Sequence, residues 1–514
     1  MNRREEKLCS ADEAATLVRD GQTVAVGGFV GAGVPEALTS ALERRYLATG
    51  EPRGLTLVYA AGQGDGGSRG ANHLAREGML RRVVGGHWGL APRLGELAAA
   101  DKIEAYNLPQ GVICQLFRDI AAGRPGCITH IGLGTFIDPA AQGGRLNERT
   151  VEPLVERIEL GGRPWLWYRA FPIHVGLIRA TSADPLGNLV MDEEAIFGEA
   201  LPIAQAAHNC GGLVIAQVRR LVDRPAKPQQ VKVPGILVDR LVVAGEHEHE
   251  QTFAESYNPG FCSALPEGER IGAALPPLES GARRIIAARV CEEISQGDIV
   301  NLGIGMPEGV ARIAAERGWL DRFVLTVESG PIGGIPAGGL SFGASLYPQA
   351  VVDQPAQFDF YDGQGLDFAA LGMAEADAQG NVNVSRYGSK LSGVGGFVNI
   401  SQTAKTVVFC GTFTAGGLEV AVEKGTVRIL REGRTRKFVE RVQQVSFSAR
   451  EALGKGHRIL YVTERAVFRL AAGGLELIEI APGIDLQAQV LDLMDFRPVV
   501  PPGRPTTMSA GAFD

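Results

Sequence analysis

Short apolar runs alternate with helix-like stretches along most of the chain. In the first half the runs are LTLVYA from Leu55, RRVVGG from Arg81, GCITHIGL from Gly126 and FPIHVGLIRA from Phe171. In the second half they are FVLTV from Phe323, KTVVFCG from Lys405 and RILYVTERAVF from Arg458. Continuous apolar runs of strand length, separated by helical pattern, predict mostly parallel sheets covered by helices. Near the end, ELIEIAPGIDLQAQVLDLM from Glu476 reads as strand, turn and helix.

The pattern breaks between Asn258 and Gly281, where NPGFCSALPEGERIGAALPPLESG is rich in Pro, Gly, Ser and Glu and has no clear period. This predicts an N-terminal α/β domain over 1–262, a linker over 263–281 and a C-terminal α/β domain over 282–514. The two sides resemble each other. DGQTVAVGGFVGAGVPEAL (Asp20 to Leu38) and GDIVNLGIGMPEGV (Gly297 to Val310) both read as turn, apolar strand, Gly-rich loop, Pro-Glu and helix. ADPLGN at Ala183 recurs as ADAQGN at Ala376, and GLVIAQV at Gly212 has a counterpart in TVVFCG at Thr406. The same order in both halves predicts two related open α/β/α domains.

Composition narrows the function. The chain has 514 residues, 45% hydrophobic and 21% charged, the profile of a packed multidomain protein. A net charge of −7 argues against a broad nucleic-acid surface, and no apolar run is long enough to span a bilayer. The start, MNRREEKLCSADEA, is charged and unlike a secretory signal. Seven scattered cysteines, none spaced as CxxC, fit a reducing cytoplasm better than a disulfide framework or a zinc ribbon.

The segment FVLTVESGPIGGIPAGGLSFGAS, Phe323 to Ser345, is the richest in candidate chemistry. Glu328 follows a buried-strand pattern, at the strand end where open α/β sheets bind ligands. On its own, a Glu there reads more often as a cap or surface charge. GLSFG (Gly339 to Gly343) matches the G-x-S-x-G elbow, but the glycine- and proline-rich stretch before it is no strand, so Ser341 is a poor nucleophile candidate. GGFVGAG (Gly27 to Gly33) misplaces the glycines of a dinucleotide fingerprint, although Pro35-Glu36 behind it predicts a helix start open to anions. His247-Glu248-His249-Glu250 and the Arg-rich run Arg431 to Val442 read as solvated segments, and neither suggests a metal.

Together, TVESGPIGG, GGFVGAGVPE (Gly27 to Glu36), YNLPQGV (Tyr106 to Val112), THIGLGTFIDP (Thr129 to Pro139) and GVGGFVNI (Gly393 to Ile400) resemble the family I coenzyme A (CoA) transferases, in particular the single-chain propionate and acetate branch. YAAGQGD, QAAHNCGG, TFAESYNP and VVDQPAQFDFYDG extend the resemblance in order along nearly the whole chain. It implies the NagB/RpiA-like CoA-transferase fold, with the active site in the cleft between two domains. It also implies ping-pong exchange of CoA between short-chain acyl-CoA and free carboxylates. Glu328 would be the nucleophile that carries CoA as a thioester. Gln110, otherwise a turn residue after Pro109, would be a side-chain oxyanion donor, and Gly396 a backbone donor. Gly28, Phe29, Gly31, Gly33 and Gly395 would line the carboxylate and pantetheine pocket, with Arg386 and Lys390 near the CoA phosphates. No metal or permanent cofactor is implied; CoA is a co-substrate, and the enzyme is expected as a cytoplasmic homo-oligomer. The stretch LGGRPWLWYRA (Leu160 to Ala170) departs from this pattern and is a candidate lining of the acyl pocket. The rival readings are an acyl-CoA hydrolase on the same fold and a non-catalytic acyl-CoA binding protein.

Overall fold

The computed structural model describes residues 4–272 and 275–513. Residues 1–3 and 514, at the ends of the expected domains, and 273–274, inside the expected linker, lie outside the described residues.

The first sheet is built on seven parallel strands: β1 (Thr23–Val26), β2 (Leu55–Tyr59), β3 (Leu80–Gly85), β4 (Glu104–Asn107), β5 (Val175–Ala183), β6 (Leu213–Leu221) and β7 (Arg240–Val243). Their spatial order is β4-β3-β2-β1-β5-β6-β7. Every residue of β1, β2 and β5 is buried, which is why these strands show no alternation of apolar and exposed polar positions; β5 opens on the apolar VGLI and buries Arg179, Thr181 and Ser182 in its second half.

The second sheet repeats the core of the first. Strands β8 (Ile299–Leu302), β9 (Val324–Thr326), β10 (Phe368–Gly372), β11 (Thr406–Cys410) and β12 (Arg458–Val462) run parallel in the order β9-β8-β10-β11-β12. This is the order β2-β1-β5-β6-β7 of the first sheet, with GLVIAQV on β6 and TVVFCG on β11 in equivalent places. In each sheet the first strand, β1 or β8, has later strands on both sides. That makes a topological switch point at its carboxyl end, where ligands of open α/β sheets bind.

Three sequence expectations change. GCITHIGL contributes Gly126–Thr129 to a separate antiparallel sheet with Val155–Leu160 and Arg163–Arg169. A four-residue apolar run looks alike in either kind of sheet. RILYVTERAVF is not one strand but β12 plus an antiparallel return over Ala466–Ala471. The helix expected after ELIEI is a single turn, Leu486–Gln489.

Four helices position the site: α1 (Glu36–Thr49), α2 (Gln110–Ala121), α3 (Gln354–Asp362) and α4 (Phe397–Thr403). Helix α2 buries Val112, Ile113, Leu116, Phe117 and Ile120 at helical spacing. It packs on α3 of the other half, and one apolar cluster runs through from the first sheet to Phe358, Tyr361 and Val398. Residues 263–281, among those described, carry no helix or strand.

Candidate active site

A cavity of about 380 Å³ lies between the two sheets, and its walls come from both halves. The first half contributes Phe29, Val30, His87, Leu90 and Gln110; the second contributes Asn301, Glu328, Met373 and the loop Gly393 to Gly396.

Glu328 stands two residues beyond β9 and is 7% exposed. Its carboxylate accepts a hydrogen bond from Asn301 Nδ2 at 3.2 Å. Asn301 sits on β8, fully buried, and its Oδ1 has no partner among the described residues. Burial pushes the Glu328 carboxyl up from its ordinary value, and the Asn301 amide opposes that rise. The signal for Asn301 in the sequence was a lone amide within the apolar strand IVNLG.

Gln110 is the first residue of α2 and 2% exposed, so Pro109 introduces a helix here, not an exposed turn. Its side chain reaches the cavity and Nε2 is buried without a partner among the described residues. The Gly393 to Gly396 loop distinguishes its two candidate glycines. Gly395 N–H already donates to Gly86 C=O at 2.7 Å, while Gly395 C=O accepts from Gln110 N–H at 3.0 Å. Gly396 instead adjoins the carboxylate: a Cβ there would stand 3.4 Å from Glu328 Cγ. Helix α4 starts at the next residue, so Gly396 lies at its amino-terminal, anion-favouring end.

Within the GGFVGAG loop only Phe29 and Val30 reach the cavity. Gly28, with φ 128°, packs so closely on Val34 that a Cβ would stand 2.7 Å from Cγ2, and Gly31 packs equally tightly on Phe253. Gly28 and Gly33 border a separate small void beside Glu199. Gly28, Gly31 and Gly33 therefore shape the loop and do not line the pocket. Val30 is held at φ 53°, an uncommon conformation for a β-branched residue, by hydrogen bonds to Gly62 and Gly64.

Arg386 and Lys390 lie on the two short strands Arg386–Tyr387 and Lys390–Leu391. Only Tyr387 of this hairpin faces the cavity; Arg386 donates to Leu146 C=O at 3.4 Å and Lys390 is exposed. The hairpin thus stands beside the cavity and neither cation lines it. His87, which the sequence did not single out, lines the wall with Nδ1 unpartnered among the described residues; burial holds its imidazole down to about 4, so it is neutral near pH 7.

Other expectations are corrected. Leu160 to Ala170 supplies the turn and the central strand, Arg163–Arg169, of the separate three-stranded antiparallel sheet, and none of these residues lines the cavity. His249 is not solvated: it is 4% exposed and contacts Glu194 at 3.1 Å and Gln217 at 3.1 Å. Within the Arg-rich run, Lys437, Phe438 and Val442 are buried. Ser341 is buried with its hydroxyl on Glu255 at 2.9 Å and lies outside the cavity. Among the described residues no group of three or more His, Cys, Asp or Glu could hold a metal ion, and no helix is long and apolar enough to cross a membrane.

Comparison with known proteins adds to this geometry. A family model described as coenzyme A transferase matches residues 9–244. Acetate CoA-transferase YdiF of Escherichia coli K12 is 43% identical over 501 residues, covering 96% of this chain and 93% of its own. Caffeate CoA-transferase of Acetobacterium woodii is 44% identical, with 96% and 95% covered. The crystal structure of acyl-CoA transferase YdiF apoenzyme from E. coli O157:H7 superimposes with a TM-score of 0.93 at 40% identity, covering 99% of this chain and 96% of that one. A thioester complex of YdiF with CoA matches with the same TM-score, 0.93.

Proposed function

This chain belongs to the coenzyme A transferase family and exchanges CoA between acyl-CoA and free carboxylates, and we propose that Glu328 is the residue that carries CoA. The observation that carries the proposal is a buried carboxylate at a strand end, adjoined by Gly396, in a cavity whose wall also holds Gln110 with its Nε2 unpartnered among the described residues.

The chemistry follows from charge balance. A Glu328 oxygen attacks the acyl carbonyl carbon, the carbon–sulfur bond breaks, and CoA leaves as thiolate. The product is an acyl-glutamyl anhydride. The thiolate then attacks the Glu328 carbonyl, and the original acyl group leaves as a carboxylate. The second carboxylate reverses these steps. One negative charge passes from carboxylate to thiolate to carboxylate, so no step needs a proton. Each passes through a tetrahedral oxyanion, for which Gln110 Nε2 and Gly396 N–H are the proposed donors.

A raised Glu328 pKa has a measurable consequence. The nucleophile must be ionised, and the ionised fraction is lost as pH falls through its pKa. The acid limb of kcat/KM should therefore lie above the ordinary glutamate value of 4.5. Asn301→Ala removes the donor that lowers this pKa, so the limb should move to higher pH; a limb that stays in place separates Asn301 from Glu328 ionisation.

We further propose acetate and propionate as carboxylates, the division of the chain at 263–281, and a cytoplasmic homo-oligomer. The acetate-named relative supports the first, and the seven free thiols suit a reducing compartment. Arg386 and Lys390 remain the cations proposed for the CoA phosphates. The reading is tested by isotope exchange: labelled acetate should enter acetyl-CoA without net loss of thioester, and propionate should do the same from propionyl-CoA. Steady thioester loss without exchange would identify a hydrolase instead.

A further inference from the structure

Helix α2 begins after Pro109, which has no side-chain oxygen to cap it, so its first N–H groups need acceptors from elsewhere. Both acceptors for its first two residues come from the other half of the chain. Gln110 N–H donates to Gly395 C=O at 3.0 Å, and Gly111 N–H donates to Asn399 Oδ1 at 3.2 Å. Asn399 is fully buried in the first turn of α4. Its Nδ2 donates to both carboxyl oxygens of Asp362, the last residue of α3, at 2.9 and 3.0 Å. Because both Asp362 oxygens accept, the Asn399 amide is turned so that Oδ1 faces Gly111. The approach is close: a Cβ at Gly111 would stand 2.5 Å from Asn399 Nδ2 and 2.6 Å from the Phe358 ring.

One side chain therefore joins the helix that follows Gly396 to the helix that starts with Gln110. We propose that Asn399, held in orientation by Asp362, is a positioning residue that sets the Gln110 amide against Gly396 and Glu328. This rests on the reading of Gln110 as an oxyanion donor. Asn399 touches no reacting atom in this account. It acts through the amino-terminal turn of α2, so its effect belongs in kcat and disappears when Gln110 is already gone. An ordinary packing role across the same seam would slow the enzyme whether or not Gln110 is present.

The test is a double-mutant cycle on the full chain, with kcat, KM and circular dichroism measured for each variant. Asn399→Ala should lower kcat by about tenfold or more, with KM for acyl-CoA changed by less than about threefold, and should add no loss on top of Gln110→Ala. The swapped pair Asn399→Asp with Asp362→Asn keeps an oxygen facing Gly111 and an amide facing its partner, so kcat should return to within about threefold of the parent. If Asn399→Ala does not fold, the swapped pair decides alone: restored turnover supports the proposal, and a folded but slow enzyme overturns it. Full loss from Asn399→Ala in the Gln110→Ala background overturns the positioning role and leaves Gln110 as donor. Near-normal turnover of Gln110→Ala overturns the donor reading and the proposal with it.

Discussion

Glu328→Ala should abolish CoA transfer while the protein stays folded. The variant lacks the carboxylate that, alone among the described residues lining the cavity, could become first an anhydride and then a thioester, and Asn301 would donate into an empty space where Glu328 now accepts at 3.2 Å. Glu328→Asp is the sharper comparison. It keeps the charge but draws the carboxylate back by one methylene, a retreat of roughly 1.5 Å from the cavity. A misplacement of about 1 Å can cost on the order of a hundredfold in rate. Turnover should therefore fall by at least about that factor. Ser341→Ala is the control. Its hydroxyl lies on Glu255 outside the cavity, so its loss should leave kcat within about tenfold. A folded, active Glu328→Ala protein would remove the nucleophile from the mechanism.

The second large effect belongs to Gln110. Its Nε2 is buried in the cavity wall with no protein partner among the described residues, a costly state unless a ligand oxygen completes it. Gln110→Ala should lower kcat by about a hundredfold or more, the usual loss for one oxyanion donor. The backbone bond from Gln110 N–H to Gly395 survives the substitution, so α2 should keep its place. Gln110→Glu should be worse than Ala, because a carboxylate only accepts and would face a developing negative charge. Steady-state kinetics on both variants check this, and a kcat within a few-fold of the parent would assign the oxyanion to Gly396 alone.

The sheets were legible in the sequence where strands are buried on both faces. β1, β2, β11 and the first half of β5 read as apolar runs, and the internal repeat anticipated two related domains, whose sheets share the orders β2-β1-β5-β6-β7 and β9-β8-β10-β11-β12. What failed depended on distant partners. Gly126–Thr129 pairs with a strand some 40 residues later in another sheet, which its own four residues do not announce. His249 is buried because Glu194 and Gln217 meet it there, and Lys437 is buried within a run whose arginines face solvent. The site shows the same division. Glu328 was visible through its strand end and its ESG context. Asn301 and Asn399 were not singled out, because a buried amide earns its role only from the groups that the fold brings to it. The Gly-rich loop was overread: its glycines permit tight packing on Val34 and Phe253, and only Phe29 and Val30 face the cavity.

The most direct test of the account is to catch CoA on the protein. Purified enzyme incubated with acyl-CoA and no acceptor carboxylate should gain the mass of CoA less one water, because one Glu328 oxygen leaves in the released carboxylate, and peptide mapping should place the adduct on the peptide containing Glu328. Borohydride should then reduce that thioester to an alcohol at Glu328 and inactivate the enzyme in proportion. Inactivation with an unmodified Glu328, or a CoA adduct on any other residue, would contradict the mechanism.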